Sequence, residues 1–186
     1  MGKLLEVRWH GRGGQGVWTT SELLARAAIH EGKFVQSFPE FGPERMGAPV
    51  VAFTRISDAP IQLHCAVYNP DVVVVLDSTL IKTVPVAQGL GDGGAVVVNS
   101  KGEPVEIRNA IRLEGGRVWV ISATEIAKRI LGRPIMNTAM LGAAARVMDA
   151  VSLDSLERVV RERFGGDAAE KNVSVMREAY REVKSE

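Results

Sequence analysis

The stretch that decides the fold of this chain is Val7-Arg8-Trp9-His10-Gly11-Arg12-Gly13-Gly14-Gln15-Gly16. It predicts a strand that ends in a glycine-dense turn and leads directly into a helix. Its glycines satisfy the pattern G-x-G-x-x-G, which brings backbone N–H groups to the start of that helix. A helix start of this kind favours an anion, most often phosphate. The stretch therefore predicts an anion-binding turn near the beginning of the chain.

Two features of the surrounding sequence narrow the choice of anion. A dinucleotide site needs a carboxylate at the end of the second strand, and the strand predicted at 33–38 ends without one, which disfavours NAD. Glycines that only allow close strand–helix packing are the alternative explanation. Arg12 favours anion binding, because its guanidinium can pair with phosphate or carboxylate. His10 ends the first strand, where ligands of open α/β sheets collect.

The remaining pattern alternates strands with helices. Strands are predicted at 4–10, 33–38, 48–56, 72–76, 94–99 and 118–121. Helices are predicted at 14–31, at 78–90 with an interruption at Pro85, and from a capping box at 122–125 to about residue 130. Three more helices follow: 138–150 capped by Asn137, one marked by the helical spacing of Leu156, Val159, Val160 and Phe164, and a terminal one opened by a second capping box at 167–170. Residues 101–117 are predicted to form a hairpin or a short β-excursion.

This order predicts an α/β fold of three layers, α/β/α, around a mainly parallel sheet, with a mixed sheet as the alternative. The first βα turn is Rossmann-like. The 186 residues, 46% hydrophobic and 24% charged, suit one domain over 1–186. A packed appendage formed by helices at 152–184 is the alternative.

Composition and charge exclude several classes of function. The net charge of +1 comes with no basic cluster, so nucleic acid is not an expected partner. No apolar run is long enough to cross a membrane, and no secretory signal is expected. One cysteine, Cys65, excludes a disulfide framework and a cysteine-ligated iron–sulfur cluster within the chain. Its single thiol indicates a reducing, cytoplasmic location, and the three histidines show no metal-ligand spacing.

A second unusual stretch runs from Phe38 to Val50, with three prolines and two glycines. At its centre lie the residues Phe41, Gly42, Pro43, Glu44 and Arg45. Rigid loops that carry charged and aromatic residues usually present a binding surface. The alternative is an ordered turn with an internal Glu–Arg pair.

Taken together, these stretches resemble the gamma subunit of the 2-oxoacid:ferredoxin oxidoreductases, most closely the pyruvate and branched-chain members. The family pattern H-G-R-G-G-Q-G matches 10–16, and F-P-x-F-G-x-E-R-R-G-A-P-V matches 38–50. Further similar stretches lie at 52–56, 68–71 and 137–143. Met46 departs from the pattern, since many relatives carry arginine there, and any pairing by that arginine with a partner subunit or an anion does not carry over.

The resemblance implies a component of a larger enzyme. The family oxidatively decarboxylates a 2-oxo acid, transfers the acyl group to coenzyme A and reduces ferredoxin. Pyruvate is the acid expected here, but the sequence does not fix which 2-oxo acid is used. Thiamine diphosphate, magnesium and iron–sulfur clusters would belong to alpha, beta and delta-type partner subunits, with ferredoxin reached through the complex. This chain would bind none of these cofactors alone and would contribute no catalytic residue. The isolated chain could form a homodimer.

For the glycine turn, the resemblance suggests that it docks coenzyme A or covers the thiamine site. The hypothesis assigns this role to the turn residues His10, Gly11, Arg12, Gly13, Gly14, Gln15 and Gly16. The loop residues 41–45 would act at the subunit border. Two alternatives stay open: a stand-alone nucleotide- or anion-binding regulatory module, and a purely structural subunit without a ligand.

Overall fold

Strands and helices alternate through most of the chain, of which a computed structural model describes residues 4–40 and 46–186. The strands of these residues are β1 (Leu4–Arg12), β2 (Phe34–Pro39), β3 (Pro49–Ser57), β4 (Val72–Val75), β5 (Ala95–Asn99), β6 (Arg117–Ile121) and β7 (Lys184–Ser185). The α-helices are α1 (Val17–His30), α2 (Pro104–Ile111), α3 (Ala123–Leu131), α4 (Asn137–Met148), α5 (Leu153–Phe164) and α6 (Gly166–Glu182). A single 3₁₀ turn spans Ser78–Lys82.

All of these strands join one sheet in the order β2-β3-β1-β4-β5-β6-β7. The four neighbours β1, β4, β5 and β6 run parallel, whereas β3 is antiparallel to both β1 and β2, and β7 is antiparallel to β6. Strand β4 is four consecutive valines, each at most 5% exposed, because helices or loops cover both faces of a parallel sheet. The predicted α/β fold with a mainly parallel, mixed sheet is confirmed.

Helices cover the two faces of the sheet unequally. The first face carries α1 and α3 to α6 over a large core that includes Trp9, Leu24 and Met140. The opposite face carries the 3₁₀ turn and α2 over a smaller core around Val73 and Ile107. Successive strand residues point to opposite faces, so the valines of β4 divide between the two cores.

The two C-terminal helices share the core of the first face. Val160 of α5 and Met176 of α6 belong to the same buried cluster as Trp9 of β1. Gly142 of α4 lies so close to α6 that a Cβ there would be 2.1 Å from the Met176 carbonyl oxygen. Helix α6 thus packs against α4 at backbone contact distance.

On the face of the sheet opposite the main core, β1 presents polar side chains. Val7, Trp9 and Gly11 point into the main core, while the alternate residues Glu6, Arg8, His10 and Arg12 line the opposite side. An irregular segment, 58–71, which we call the strap, crosses this side between β3 and β4.

Buried arginines hold the strap on the sheet. Arg55, 1% exposed, donates from Nε to Glu6 Oε1 at 2.7 Å and from Nη2 to the Ala66 carbonyl at 3.2 Å. Arg8 donates to the carbonyls of Val67 at 3.3 Å and Tyr68 at 3.4 Å. Buried carbonyls outside a regular element need donors, and a guanidinium offers five N–H groups.

The helix predicted at 78–90 is wrong beyond its first turn. Only Ser78–Lys82 is helical, as a 3₁₀ turn. Pro85 has no N–H and stops helix propagation. The next residues instead turn the carbonyls of Val86 and Gln88 toward the Arg8 guanidinium.

The hairpin predicted at 101–117 is also wrong, because helix α2 occupies its centre. Pro104 stands in the first turn, and the side chains of Glu103 and Glu106 each accept from the other's backbone N–H in a capping box. The sequence Glu-Pro-Val-Glu carries this signal, since proline suits the first helical position and the two glutamates have capping-box spacing.

The structure changes three predicted helix caps in different ways. Ser122 is the cap residue of α3, as predicted, but its hydroxyl makes no cap hydrogen bond and donates to the Ser100 carbonyl at 3.4 Å. Met136 is the cap residue of α4, and Asn137 is already helical. Helix α6 begins at Gly166, so Asp167 lies inside its first turn, where a carboxylate complements the helix dipole.

Among the described residues, no helix is both long and apolar enough to cross a bilayer.

Candidate functional site

The glycine turn lies at a point where the chain changes sides of the sheet. Helix α1 leaves the end of β1 on the face of the main core, and the 3₁₀ turn leaves the end of β4 on the other face. β1 and β4 are parallel neighbours, with His10 paired to Val75. A crevice outside the carboxyl ends of two such strands is where open α/β sheets bind ligands.

Three glycines of the turn have separate physical roles. Gly11 is still part of β1, and a Cβ there would lie 2.4 Å from Cγ2 of Val17. It therefore serves close strand–helix packing. Gly14 and Gly16 have φ of 91° and 77°, a region that favours glycine. A Cβ on Gly16 would also lie 3.0 Å from Asn137 Nδ2.

Some backbone N–H groups of the turn donate to acceptors within the chain, and others have no acceptor there. Gly13 N donates to the Ala48 carbonyl at 2.9 Å, so the segment before β3 occupies it. The first-turn amides of α1, on Val17, Trp18 and Thr19, have no acceptor within the helix. No side chain caps this helix start in the part of the chain that the structure describes. These amides are the donors that the turn offers to a ligand.

Arg12 is held in place by contacts within the chain. Its Nε lies 3.2 Å from Asp77 Oδ2. Nη1 donates to the Gly47 carbonyl at 3.1 Å, and Nη2 donates to Thr79 Oγ1 at 2.9 Å. The side chain is 32% exposed, and each Nη keeps one further N–H. Arg12 is thus oriented by these contacts and can still donate to a ligand.

Asp77 and Gln15 complete this cluster. Gln15 accepts from Arg12 N at 2.8 Å and donates to Asp77 Oδ2 at 2.9 Å. Asp77 Oδ1 accepts from Thr79 N at 3.0 Å, as the cap of the 3₁₀ turn. Burial raises the pKa of Asp77, but hydrogen bonds from Thr79 and Gln15, and then the Arg12 charge, lower it below 3.8 overall. Asp77 is therefore ionised and offsets the charge of Arg12.

His10 lies beneath the surface, away from the turn. It is 5% exposed, and its Nε2 accepts from Arg8 Nε at 3.2 Å. Burial, and then the charge of Arg8, lower its pKa from 6.5 to about 4, so the imidazole is neutral. His10 is therefore a buried partner of Arg8, and it is not among the residues that line the groove beside the turn.

That groove runs between the start of α1, the end of β2 and the start of β3. It is lined by Arg12, Gly13, Gly14, Gly16, Val17, Trp18, Thr19, Pro39, Glu40, Val50 and Val51. Two large apolar side chains are exposed close to the turn, Trp18 at 55% and Met46 at 95%. The predicted subunit-border residues 41–45 lie outside the described residues.

A second, polar crevice opens on the other side of Asp77, along the ends of β4, β5 and β6. Asn99 spans it, donating to the Leu76 carbonyl at 2.9 Å and to Thr124 Oγ1 at 2.8 Å. Lys101 there forms an ion pair with Glu125 at 3.2 Å. In residues 4–40 and 46–186, no three His, Cys, Asp or Glu side chains converge as a metal site would require.

Some of the site residues that the turn prediction omitted carry a partial signal in the sequence. Asp77 directly follows the valine strand, which places it at the same sheet edge as the glycine turn. Thr79 carries no distinctive signal, because it meets Arg12 only through the tertiary fold. Arg8 could have been found from the alternation along β1, which leaves one side of that strand polar.

Comparisons with known proteins bear on this site. A family model described as pyruvate ferredoxin/flavodoxin oxidoreductase matches residues 6–182. The pyruvate synthase subunit PorC of Methanothermobacter thermautotrophicus is 50% identical over 183 residues, 97% of each chain. The pyruvate/ketoisovalerate oxidoreductases common subunit gamma of Thermococcus kodakarensis is 49% identical over 177 residues, 95% of this chain and 96% of the relative.

The same likeness extends to three dimensions. The crystal structure of the pyruvate oxidoreductase subunit PORC of Thermotoga maritima matches with a TM-score of 0.90 and 41% identity. The match covers 98% of each chain.

Proposed function

Because the chain belongs to the pyruvate ferredoxin/flavodoxin oxidoreductase family, as a gamma-type subunit, we propose that it supports the coenzyme A-dependent oxidation of pyruvate. Acetyl-CoA, CO₂ and reduced ferredoxin would be the products. Thiamine diphosphate would stabilise the carbanion left by decarboxylation, and iron–sulfur clusters would carry the electrons. We assign these groups, with magnesium, to alpha, beta and delta-type subunits, because one cysteine cannot ligate a cluster.

Other subunits of the complex would determine which 2-oxo acid is the substrate. The Thermococcus relative is named as a subunit common to pyruvate and ketoisovalerate oxidoreductases, which supports a gamma subunit that is indifferent to the acid's side chain. Assays of the native complex with pyruvate, 2-oxoisovalerate and 2-oxoglutarate test this. Exchange of the gamma subunit between two such complexes should leave the substrate preference with the other subunits.

The turn itself would dock the phosphate groups of coenzyme A. The observation that carries this proposal is the uncapped start of α1 at the switch point, with the first-turn amides beside an oriented Arg12. Partial positive charge at a helix start and a guanidinium together suit a phosphate. Gly13 and His10, which the sequence assigned to the same task, already use their hydrogen-bonding groups within the chain.

A structural role is the second candidate, and the exposed side chains favour it. Trp18 and Met46 offer apolar area close to the turn, and aromatic residues and methionine are enriched at protein interfaces. In that case the turn would meet a partner subunit and no ligand. Loss of co-purification in a Trp18→Ser, Met46→Ser double variant would favour this role, if complex reconstituted with the Arg12→Ala, Asp77→Asn variant also keeps an unchanged KM for coenzyme A.

Titration of the reconstituted complex with coenzyme A tests docking. Arg12→Ala alone would leave Asp77 unpaired next to the anion, so the informative variant is Arg12→Ala with Asp77→Asn. We expect its KM for coenzyme A to rise about tenfold, the loss of one charge-assisted hydrogen bond, with the KM for pyruvate unchanged. Arg129→Ala, which removes another carboxylate-paired arginine on α3, is the matched control. An unchanged KM for coenzyme A in the double variant would contradict docking at this turn.

A further inference from the structure

The two edges of the sheet differ in how well they are protected. Strand β7 is a two-residue edge, Lys184–Ser185, and short, charged edges resist pairing with other chains. Strand β2, Phe34–Pro39, is six residues long, contains no charged side chain, and no described strand lies beyond it. Proteins rarely leave such an edge open.

The register of β2 shows which backbone groups its outer side presents. Glu40 N donates to the Val51 carbonyl at 2.9 Å, in line with the β2–β3 register. Bonded and non-bonded pairs alternate along an antiparallel ladder, so Phe34, Gln36 and Phe38 bond to β3. Val35 and Ser37 therefore direct their N–H and C=O groups outward.

We propose that β2 pairs antiparallel with β2 of a second copy of this chain, about a two-fold axis through Gln36. In this register Val35 of each copy exchanges both backbone hydrogen bonds with Ser37 of the other. Pro39, which has no N–H to donate, stands beyond these pairs at the end of the ladder. The continuous sheet formed this way would cross the two copies.

Side chains and charges agree with this register. Phe34 and Phe38 lie on the strap side of β2 and come opposite each other across the interface, a favourable cross-strand aromatic pair. Phe34 is 46% exposed in the single chain, and Leu63 of the strap is 41% exposed beside the groove along β2. Antiparallel pairing also places Lys33, which is paired with Asp58 of its own chain, toward Glu40 of the other copy, whereas parallel pairing would bring like charges together.

Cross-linking of the purified full chain tests the register. In a Cys65→Ser background, Gln36→Cys should form a disulfide dimer, because facing residues on the axis have Cα atoms about 4.5 Å apart. Phe34→Cys is the matched control, since its two copies would be separated by roughly 13 Å. Equal cross-linking of both variants, or cross-linking at Phe34 alone, would overturn the proposal.

Two measurements on the unmodified chain make the test independent of whether these variants fold. Light scattering should show a mass twice the 20.1 kDa of one chain as concentration rises. The Val35 and Ser37 amides should exchange with deuterium about tenfold more slowly in that range, while those of Gln36 and Phe38 stay constant. A monomer at every concentration overturns the proposal. Protection of Val35 and Ser37 only after addition of other subunits would assign the edge to a different strand and also overturn it.

Discussion

At the scale of single residues, β1 carries apolar side chains on one side and polar, charged side chains on the other. Trp9 is fully buried in the main core, whereas its neighbours Arg8 and His10 are buried together on the opposite face of the sheet. Arg8 forms no salt bridge among the described residues and binds backbone carbonyls. Burial lowers the pKa of its guanidinium, and the charge of Glu40 offsets this only in part. His10 beside it stays neutral because a second charge in this place would be costly.

The lowered pKa of His10 predicts a dependence of stability on pH. Between pH 6.5 and about 4, the unfolded chain binds a proton at His10 that the folded chain does not. Stability therefore rises with pH across this window and is lost as pH falls, by roughly 1 kcal/mol per pH unit. Urea unfolding at pH 7.5, 6 and 5 measures this slope. His10→Gln, which keeps an acceptor for Arg8, should flatten the curve, and an equal slope in both proteins would contradict the assignment.

At the scale of secondary structure elements, close contacts between helices decide where glycine is needed. Helix α4 is buried along most of its length, and its Gly142 allows the α6 backbone to approach. The sequence indicated that this helix is buried, and small residues suggested close packing. That α6 is the neighbour at Gly142 follows only from the fold.

Gly142→Ala should therefore destabilise the chain although alanine is the better helix former. Its Cβ would lie 2.1 Å from the Met176 carbonyl oxygen, so the two helices must separate, at a cost of about 3 kcal/mol. Gly93→Ala is the control, because a Cβ there meets nothing within 4 Å. Thermal unfolding of both variants measures the difference. A Gly142→Ala protein as stable as the control would show that α4 and α6 can move apart freely.

At the scale of the whole molecule, one part of the sheet is covered on its second face by the strap and not by helices. Ion pairs hold the strap in place. Helices cover the main core on one side, but the strap covers β1 to β3 on the other, fastened through Arg55 and Glu6. The chain therefore completes its second face with an irregular segment, which needs polar anchors because its own carbonyls are not paired in a ladder.

Removal of the Arg55 anchor should cost much more than removal of a surface ion pair. Arg55→Met leaves Glu6 and the Ala66 carbonyl without their donor, and we expect a loss of about 3 kcal/mol in unfolding free energy. Glu6→Gln combined with Arg55→Met should recover part of this loss, because no unpaired carboxylate remains. Lys33→Met, which breaks the more exposed pair with Asp58, should cost less than about 1 kcal/mol. Equal losses for Arg55→Met and Lys33→Met in urea titrations would contradict the anchoring role.

Sequence alone determined the features that depend on local spacing. The strand–turn–helix at 7–16, the valine strand at 72–76 and the alternation of elements predicted the α/β sheet, because periodicity and glycine chemistry act within a few residues. The family resemblance came from the same stretches. Local reasoning failed at 78–90, where only the first turn of the predicted helix forms, and at 101–117, where a hairpin was predicted in place of helix α2.

Only the tertiary structure decided what the site residues do. Arg12 meets Asp77, 65 positions later, and Gly13 gives its amide to Ala48. His10 is buried and accepts a hydrogen bond from Arg8. Each of these partners comes from a different strand end or loop, and their meeting depends on the order of strands in the sheet. The sequence by itself therefore established an anion-suited turn, and the fold decided which of its donors remain available, because hydrogen bonds within the chain occupy the others first.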